Sequence, residues 1–238
     1  MKVLVLGASG ATGKLVVFQL LQRRIAVKLV VREHAALHPL IIENPLVEIE
    51  RGNIDSFSQE NVQELLDDCD AAICCLGHRT TIRGIFGKPH RLVIHAVQKV
   101  TAAMDSRSCS QKFILMSTTA YTNKQDGEKN RFGEALVLSL LKVLLPPHRD
   151  NMLAADYLVH RIGTRGSFSW VAVRPDTLID AENPSEYEIY AHTNRSPVFN
   201  AGKTSRINVA ACMAELLSDE VLWEQWKYKT PVLYNKLG

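Results

Sequence analysis

The chain has 238 residues, 46% of them hydrophobic and 22% charged, with a formal net charge of +3. That length suits one domain with a small elaboration, and the composition is ordinary for a globular protein. The small charge, with no Lys/Arg tract interleaved with aromatics, argues against a nucleic-acid partner, and no apolar run reaches the roughly 20 residues of a bilayer span.

Residues 2–6 (KVLVL) form a short continuous apolar run, the pattern of a strand buried on both faces. The glycine-rich turn GASGATG follows. Residues 14–24 then carry apolar side chains at helical spacing and end on two cations, which suit a helix C-terminus. Further strands are predicted at 27–31, 47–50, 71–76 and 113–116, with helices at 61–68 and 91–104 between them. Strands alternating with helices of this length pair in parallel, with helices on both sheet faces. Beyond residue 116 the alternation loosens. A polar loop (123–131) leads to a predicted helix at 132–145, stopped by Pro146 and Pro147. A helix at 151–162, a turn at 163–166, and strands at 169–173 and 187–191 come next. A terminal helix at 209–217 and an edge strand at 231–234 complete the reading. The expectation is one α/β domain over residues 1–238, a doubly wound parallel sheet, elaborated on its substrate side mainly at 120–150 and 178–208.

The glycine turn carries the most specific chemistry. Gly7 permits a tight turn at the strand end, Gly10 lets the backbone approach a pyrophosphate, and Gly13 lets the helix pack against the strand. The helix that opens near Ala11 points free N–H groups at the phosphates, and Ser9 and Thr12 add hydroxyl donors. A glycine pattern alone is weak; here it follows a buried strand and opens an amphipathic helix, the context a dinucleotide site requires. The second strand ends at Arg32, near the position where an acid would accept from the ribose of NAD. A guanidinium there pairs with the 2′-phosphate of NADP, while the adjacent Glu33 would favour NAD if it faced the ribose. Asn53 and Ile54, after the third strand, suit the edge and face of adenine. Gly77 lets backbone pass the adenosine ribose at the end of the fourth strand.

GASGATG, VVR, GNID, CLG, FILMSTTAY and VAVRPDTL, in this order, resemble the atypical short-chain dehydrogenase/reductase superfamily. The flavin reductase/biliverdin reductase B-like and NmrA-like NAD(P)-binding branches are the nearest in pattern. The resemblance covers roughly residues 1–235, with TSRINVAACMAELL (204–217) similar to the family's closing segment. It implies a Rossmann fold with NADP(H) preferred and NAD(H) admissible. Residues 7–13, Ala11 among them, would hold the pyrophosphate, Arg32 the 2′-phosphate, and Asn53 with Ile54 the adenine. Leu76 and Gly77 would line the ribose, Ser117, Thr118 and Thr119 would flank the nicotinamide, and Pro175 would approach its carboxamide.

The chain departs from the family where the chemistry is usually done. It contains no YxxxK; the tyrosine position falls near Pro147 and the lysine position near Asn151. Neither can run the proton transfer of a Tyr–Lys pair. The expected activity is therefore direct hydride transfer to a flavin, quinone or similar planar acceptor, which needs orientation more than an acid. Thr119, Tyr121 and Asn151 are the candidate pocket residues. The alternatives are a non-catalytic dinucleotide sensor with a protein partner and, third, an epimerase-like isomerase.

The remaining features have plainer readings. Cys69, Cys74, Cys75, Cys109 and Cys212 form no CxxC and read as buried reduced thiols, and the eight histidines make no metal motif. The N-terminal apolar run breaks at Gly7, too soon for a signal peptide, so a cytoplasmic location is expected. His78, Arg79, Arg83, Lys88, His90 and Arg91 suit a solvated loop or an anionic substrate. The apolar 135–147 stretch suits core, lid or dimer face, and Trp223, Trp226 and Tyr228 a patch over the sheet edge.

Overall fold

A computed structural model describes residues 1–78, 90–107, 110–129, 133, 137 and 146–236. Arg79, Arg83, Lys88, Cys109 and nearly all of the apolar 135–147 stretch lie outside the described residues.

The first half alternates as its apolar runs predict. Strand β1 (Lys2–Leu6) leads to helix α1 (Ala11–Gln22) and β2 (Ala26–Val31). A short helix α2 (Pro39–Ile42), not predicted, precedes β3 (Val47–Arg51), and α3 (Gln59–Leu66) leads to β4 (Ala71–Cys74). Helix α4 (Leu92–Asp105) and strand β5 (Lys112–Met116) follow. Then come α5 (Pro146–Tyr157), running into a π-turn at Leu158–Ile162, and β6 (Ser169–Pro175). Strands β7 (Thr177–Ile179), β8 (Tyr187–Tyr190) and β9 (Lys203–Ser205) precede helices α6 (Arg206–Ser218) and α7 (Glu220–Trp226) and strand β10 (Val232–Asn235).

Among the described residues, eight strands form one sheet in the order β3-β2-β1-β4-β5-β6-β10-β8, and β7 pairs with β9 separately. All neighbours in the large sheet are parallel except β8, which runs antiparallel to β10. The order reverses beside β1, whose two neighbours are β2 and β4. This is the doubly wound Rossmann arrangement, and the crevice at that reversal is where such sheets bind ligands.

Strand β1 shows why the sheet is covered twice. Leu4 and Leu6 join a core with residues of α3, α4 and α5, whereas Val3 and Val5 join a second core with α1, α6 and α7. All four are at most 1% exposed, and each such side chain contributes on the order of 1.5–3 kcal/mol of burial. Cys69, Cys74, Cys75 and Cys212 are buried and unpaired, and burial pushes the thiols of Cys69 and Cys74 up to about 12. They are apolar filling, not nucleophiles.

Three expectations are corrected. The helix expected at 151–162 begins earlier, at Pro146, because the first turn of a helix needs no N–H from Pro146 and Pro147; the helix expected at 132–145 before them falls almost wholly outside the described residues. The last strand is not an edge: β10 lies between β6 and β8, and β8 takes the edge. Trp223 and Trp226 are 1% and 6% exposed within the core under α6 and α7, with Trp223 Nε1 donating to Ser169 Oγ at 3.2 Å, so they cover the sheet's interior. Among the described residues, no helix is long and apolar enough to cross a membrane.

Candidate dinucleotide site

The cradle begins where β1 ends. Gly7 has φ +84°, in the left-handed region, and a Cβ there would meet the Cys75 carbonyl oxygen at 2.6 Å. The turn therefore crosses the end of β4 and brings Gly7 against the backbone of Cys75 and Leu76. Gly13 faces a tighter limit: its Cβ would lie 2.1 Å from the Gly7 carbonyl oxygen. The Gly10 N–H donates to that same oxygen at 2.9 Å, which locks the turn. Gly10 is also the N-cap of α1 and has no side chain to cap it. The N–H groups of the first helical turn thus remain for an anion, with the positive end of the helix dipole behind them. Ser9 and Ala11 are exposed beside them, and Thr12 is buried. A cradle that any Cβ would fill, opening on an uncapped helix, fits a pyrophosphate.

Arg32 is exposed at the end of β2, and Glu33 is exposed beside it. Val31 pairs with Arg51 across to β3, and Arg51 donates to the backbone carbonyls of Glu33 at 2.8 Å and Ala35 at 3.4 Å. Arg51, unnoticed in the sequence, shapes the loop that carries Arg32. Asn53 Oδ1 accepts from the Asp55 N–H at 3.2 Å, so its amide oxygen caps a local turn, and its NH2 makes no hydrogen bond among the described residues. Ile54 is 4% exposed and part of the core; Lys99 Nζ holds the carbonyls around it.

At the ends of β5 and β6 the chain brings Ser117, Thr119 and Pro175 together. The Ser117 N–H donates to Val173 O at 2.8 Å, and the Thr119 N–H to Pro175 O at 3.4 Å. Ser117 Oγ is buried with no hydrogen-bond partner among the described residues, a group that a bound ligand would satisfy. Thr119 Oγ1 lies 3.4 Å from Asp176 Oδ1. Asp176 also accepts from the N–H groups of Thr177 at 2.8 Å and Gly202 at 2.9 Å. Burial nevertheless pushes its carboxyl above the usual range.

The other two pocket candidates have surroundings of their own. Tyr121 is 4% exposed in the core, its hydroxyl unpartnered and raised by burial. Asn151 stands on α5 and donates to the Pro147 carbonyl one turn back, at 3.4 Å.

Two charged clusters escaped sequence reading. The Asp150 carboxylate, 1% exposed, accepts from the N–H groups of Val93 at 2.8 Å and Ile94 at 3.1 Å, capping α4 from across the structure. His78 Nε2 meets it at 2.8 Å, so His78 is a buried partner rather than part of a solvated loop; His90 and Arg91 are exposed. Arg174, fully buried, pairs with Glu128 at 2.7 Å and donates to the carbonyls of Tyr121, Thr230 and Ala191. Burial raises the Glu128 carboxyl, but Arg174 and the N–H groups of Thr193 and Asn123 hold it below its ordinary value. Only the RP preceding Asp176 hinted at the second cluster, and nothing local hinted at the first.

A glycine cradle on a doubly wound sheet, with a guanidinium at the end of β2, defines a Rossmann protein built for a nicotinamide dinucleotide. The chain belongs to the NAD(P)H-binding family, whose model matches residues 7–220. Over 78 residues it is 37% identical to an uncharacterized chloroplastic protein of Arabidopsis thaliana, a match spanning 33% of this chain and 28% of that protein. Among solved structures, it is similar to a wide-type short-chain dehydrogenase/reductase from Veillonella parvula in complex with NADP. That match has a TM-score of 0.71 and 12% identity, and covers 98% of this chain and 94% of that one. It is also similar to ChuY, an anaerobillin reductase from Escherichia coli O157:H7, with a TM-score of 0.69 and 17% identity over 100% and 99% of the two chains.

Proposed function

We propose that the protein is an NADP(H)-dependent reductase of a planar acceptor, a flavin, a quinone or a similar ring, working without a Tyr–Lys pair. The observation that carries this reading is the contact of Thr119 Oγ1 with Asp176 at the ends of β5 and β6, with the buried Ser117 Oγ two residues before Thr119. These are polar groups, one of them unpartnered among the described residues, beside the position where the fold would lay the nicotinamide. Gly7, Ser9, Gly10, Ala11, Thr12 and Gly13 would hold the pyrophosphate, and Leu76 and Gly77 the ribose. Arg32 would take the 2′-phosphate and the NH2 of Asn53 the adenine edge. Ser117 and Pro175 would orient the nicotinamide. The buried position of Ile54 leaves it at most an edge contact. When bound, the cofactor supplies a hydride. The chain's own contribution is to bind and orient, and to keep a carboxyl, Asp176, close to Thr119. The reductase character of ChuY, on the same fold, is in keeping with this reading.

One observation favours the sensor instead. Pro147 and Asn151 occupy the helical turn expected of the acid pair, and Asn151 is occupied with the Pro147 carbonyl. NADPH oxidation by the purified protein, followed by the loss of NADPH absorbance with FMN, FAD, dichlorophenolindophenol and simple quinones, separates the two. Turnover of at least one acceptor is expected. Tight NADPH binding with no turnover of any would replace the reductase with the sensor.

A further inference from the structure

Resting on that reading, we propose that the cleft between β8, β10 and residues 194–203 is the subsite for an acidic group, phosphate or carboxylate, carried by the acceptor. The cleft encloses about 280 Å³. That is slightly less than a whole small-molecule site, and suits one end of a ligand whose ring lies elsewhere.

The topology puts the cleft next to the candidate nicotinamide position. Strand β10 runs parallel to β6, with Val232 opposite Arg174 and Leu233 opposite Pro175. Tyr234 therefore stands level with Asp176, and Asp176 acts on its phenol. The Tyr234 ring packs on Gly202, where a Cβ would come within 2.3 Å of it. The Gly202 N–H donates to Asp176 Oδ2, and Asp176 Oδ1 faces Thr119. One carboxylate thus separates the cleft wall from Thr119.

The lining is basic. Arg195, Lys203 and Lys236 face Glu188 as the one acid of the wall among the described residues. Glu188 accepts from the Tyr190 hydroxyl at 2.6 Å, and Lys236 pairs with the exposed Glu186 at 2.8 Å. Arg195 and Lys203 form no ion pair among the described residues. A guanidinium and an ammonium in one cleft are donors without acceptors, which is what an oxyanion requires. Tyr190 and Tyr234, ring centroids 6.0 Å apart, give the same cleft an aromatic wall. The Tyr234 hydroxyl is buried without a well-formed hydrogen bond, beside the Arg195 backbone, and is a further group for the ligand to satisfy.

The test compares acceptors that differ only in the acid. Affinities of FMN and riboflavin are measured by flavin-fluorescence quenching in the presence of NADP. A 1,4-naphthoquinone with and without a carboxylate side chain is measured by tryptophan quenching. At least one acidic member is expected to bind about tenfold more tightly than its neutral twin, less so as salt is raised; which pair shows it tells phosphate from carboxylate. The R195Q/K203Q double variant should bring that member to the level of its twin, while its melting curve and NADPH affinity stay as in the wild type. Equal affinity within both pairs, a preference that survives the double variant, or no binding of either acidic compound would overturn the subsite. Because these are binding measurements, turnover with equal affinities sinks only the subsite. An acid preference without turnover of any acceptor sinks only the reductase.

Discussion

Gly13 carries the tightest constraint in the cradle. A methyl group there would sit 2.1 Å from the Gly7 carbonyl oxygen, far inside contact distance and against backbone. Gly13→Ala must therefore push α1 away from β1. The expected result is a loss of about 1–3 kcal/mol in denaturant unfolding, together with at least a tenfold loss of NADPH affinity, since the first-turn N–H groups move with the helix. Arg32 is the opposite case, an exposed side chain with little structural work. Arg32→Ala should leave the melting temperature unchanged and weaken NADPH binding by about 1.5–3 kcal/mol, the worth of a charge-assisted contact. NADH affinity should stay constant. Fluorescence titration with both nucleotides measures this, and equal losses for the two would remove the 2′-phosphate role. The packing constraint on Gly13 was legible in the sequence because it depends on position within one strand–turn–helix unit.

At the scale of elements, α4 shows a helix whose start is not written in its own neighbourhood. Its N-cap, Arg91, makes no side-chain cap, and the carboxylate of Asp150, more than fifty residues later, accepts the first N–H groups instead. Asp150→Ala is expected to cost about 2–3 kcal/mol, because it strips a buried cap and leaves His78 without its partner. Asp150→Asn keeps one carbonyl acceptor and should cost less. Urea unfolding of the three proteins checks the order. Helix α5 teaches a related lesson. Pro146 and Pro147 read as stop signals for the stretch before them, and they are also the first residues of α5, because the first turn of a helix needs no N–H from them.

Over the whole molecule, the buried Arg174–Glu128 pair ties the loop after β5 to β6, to the segment after β8 and to the start of β10. Its pH dependence has a definite sign. The Glu128 carboxyl is held below its unfolded value of 4.5, so its contribution is present above that pH and lost as the pH falls through the folded value. Asp176 runs the other way: raised above 3.8 by burial, it favours folding at low pH and loses that contribution as the pH rises through its folded value. Glu128→Gln should be about 3 kcal/mol less stable than the wild type at pH 7, since it leaves Arg174 unpaired. The gap should close as the pH is lowered below 4.5; a gap that stays constant in unfolding curves across that range would show that the charge of Glu128 plays no part. What the sequence determined by itself was the doubly wound half and its glycine cradle, since apolar runs, alternating elements and a close-packed turn are local properties of the chain. Only the tertiary structure decided the second half of the chain. The insertion of β10 beside β6, the capping of α4 by Asp150, the burial of Arg174 with Glu128 and the packing of Tyr234 on Gly202 each join residues distant in the chain. Such contacts are set by how layers pack, and no local pattern records them.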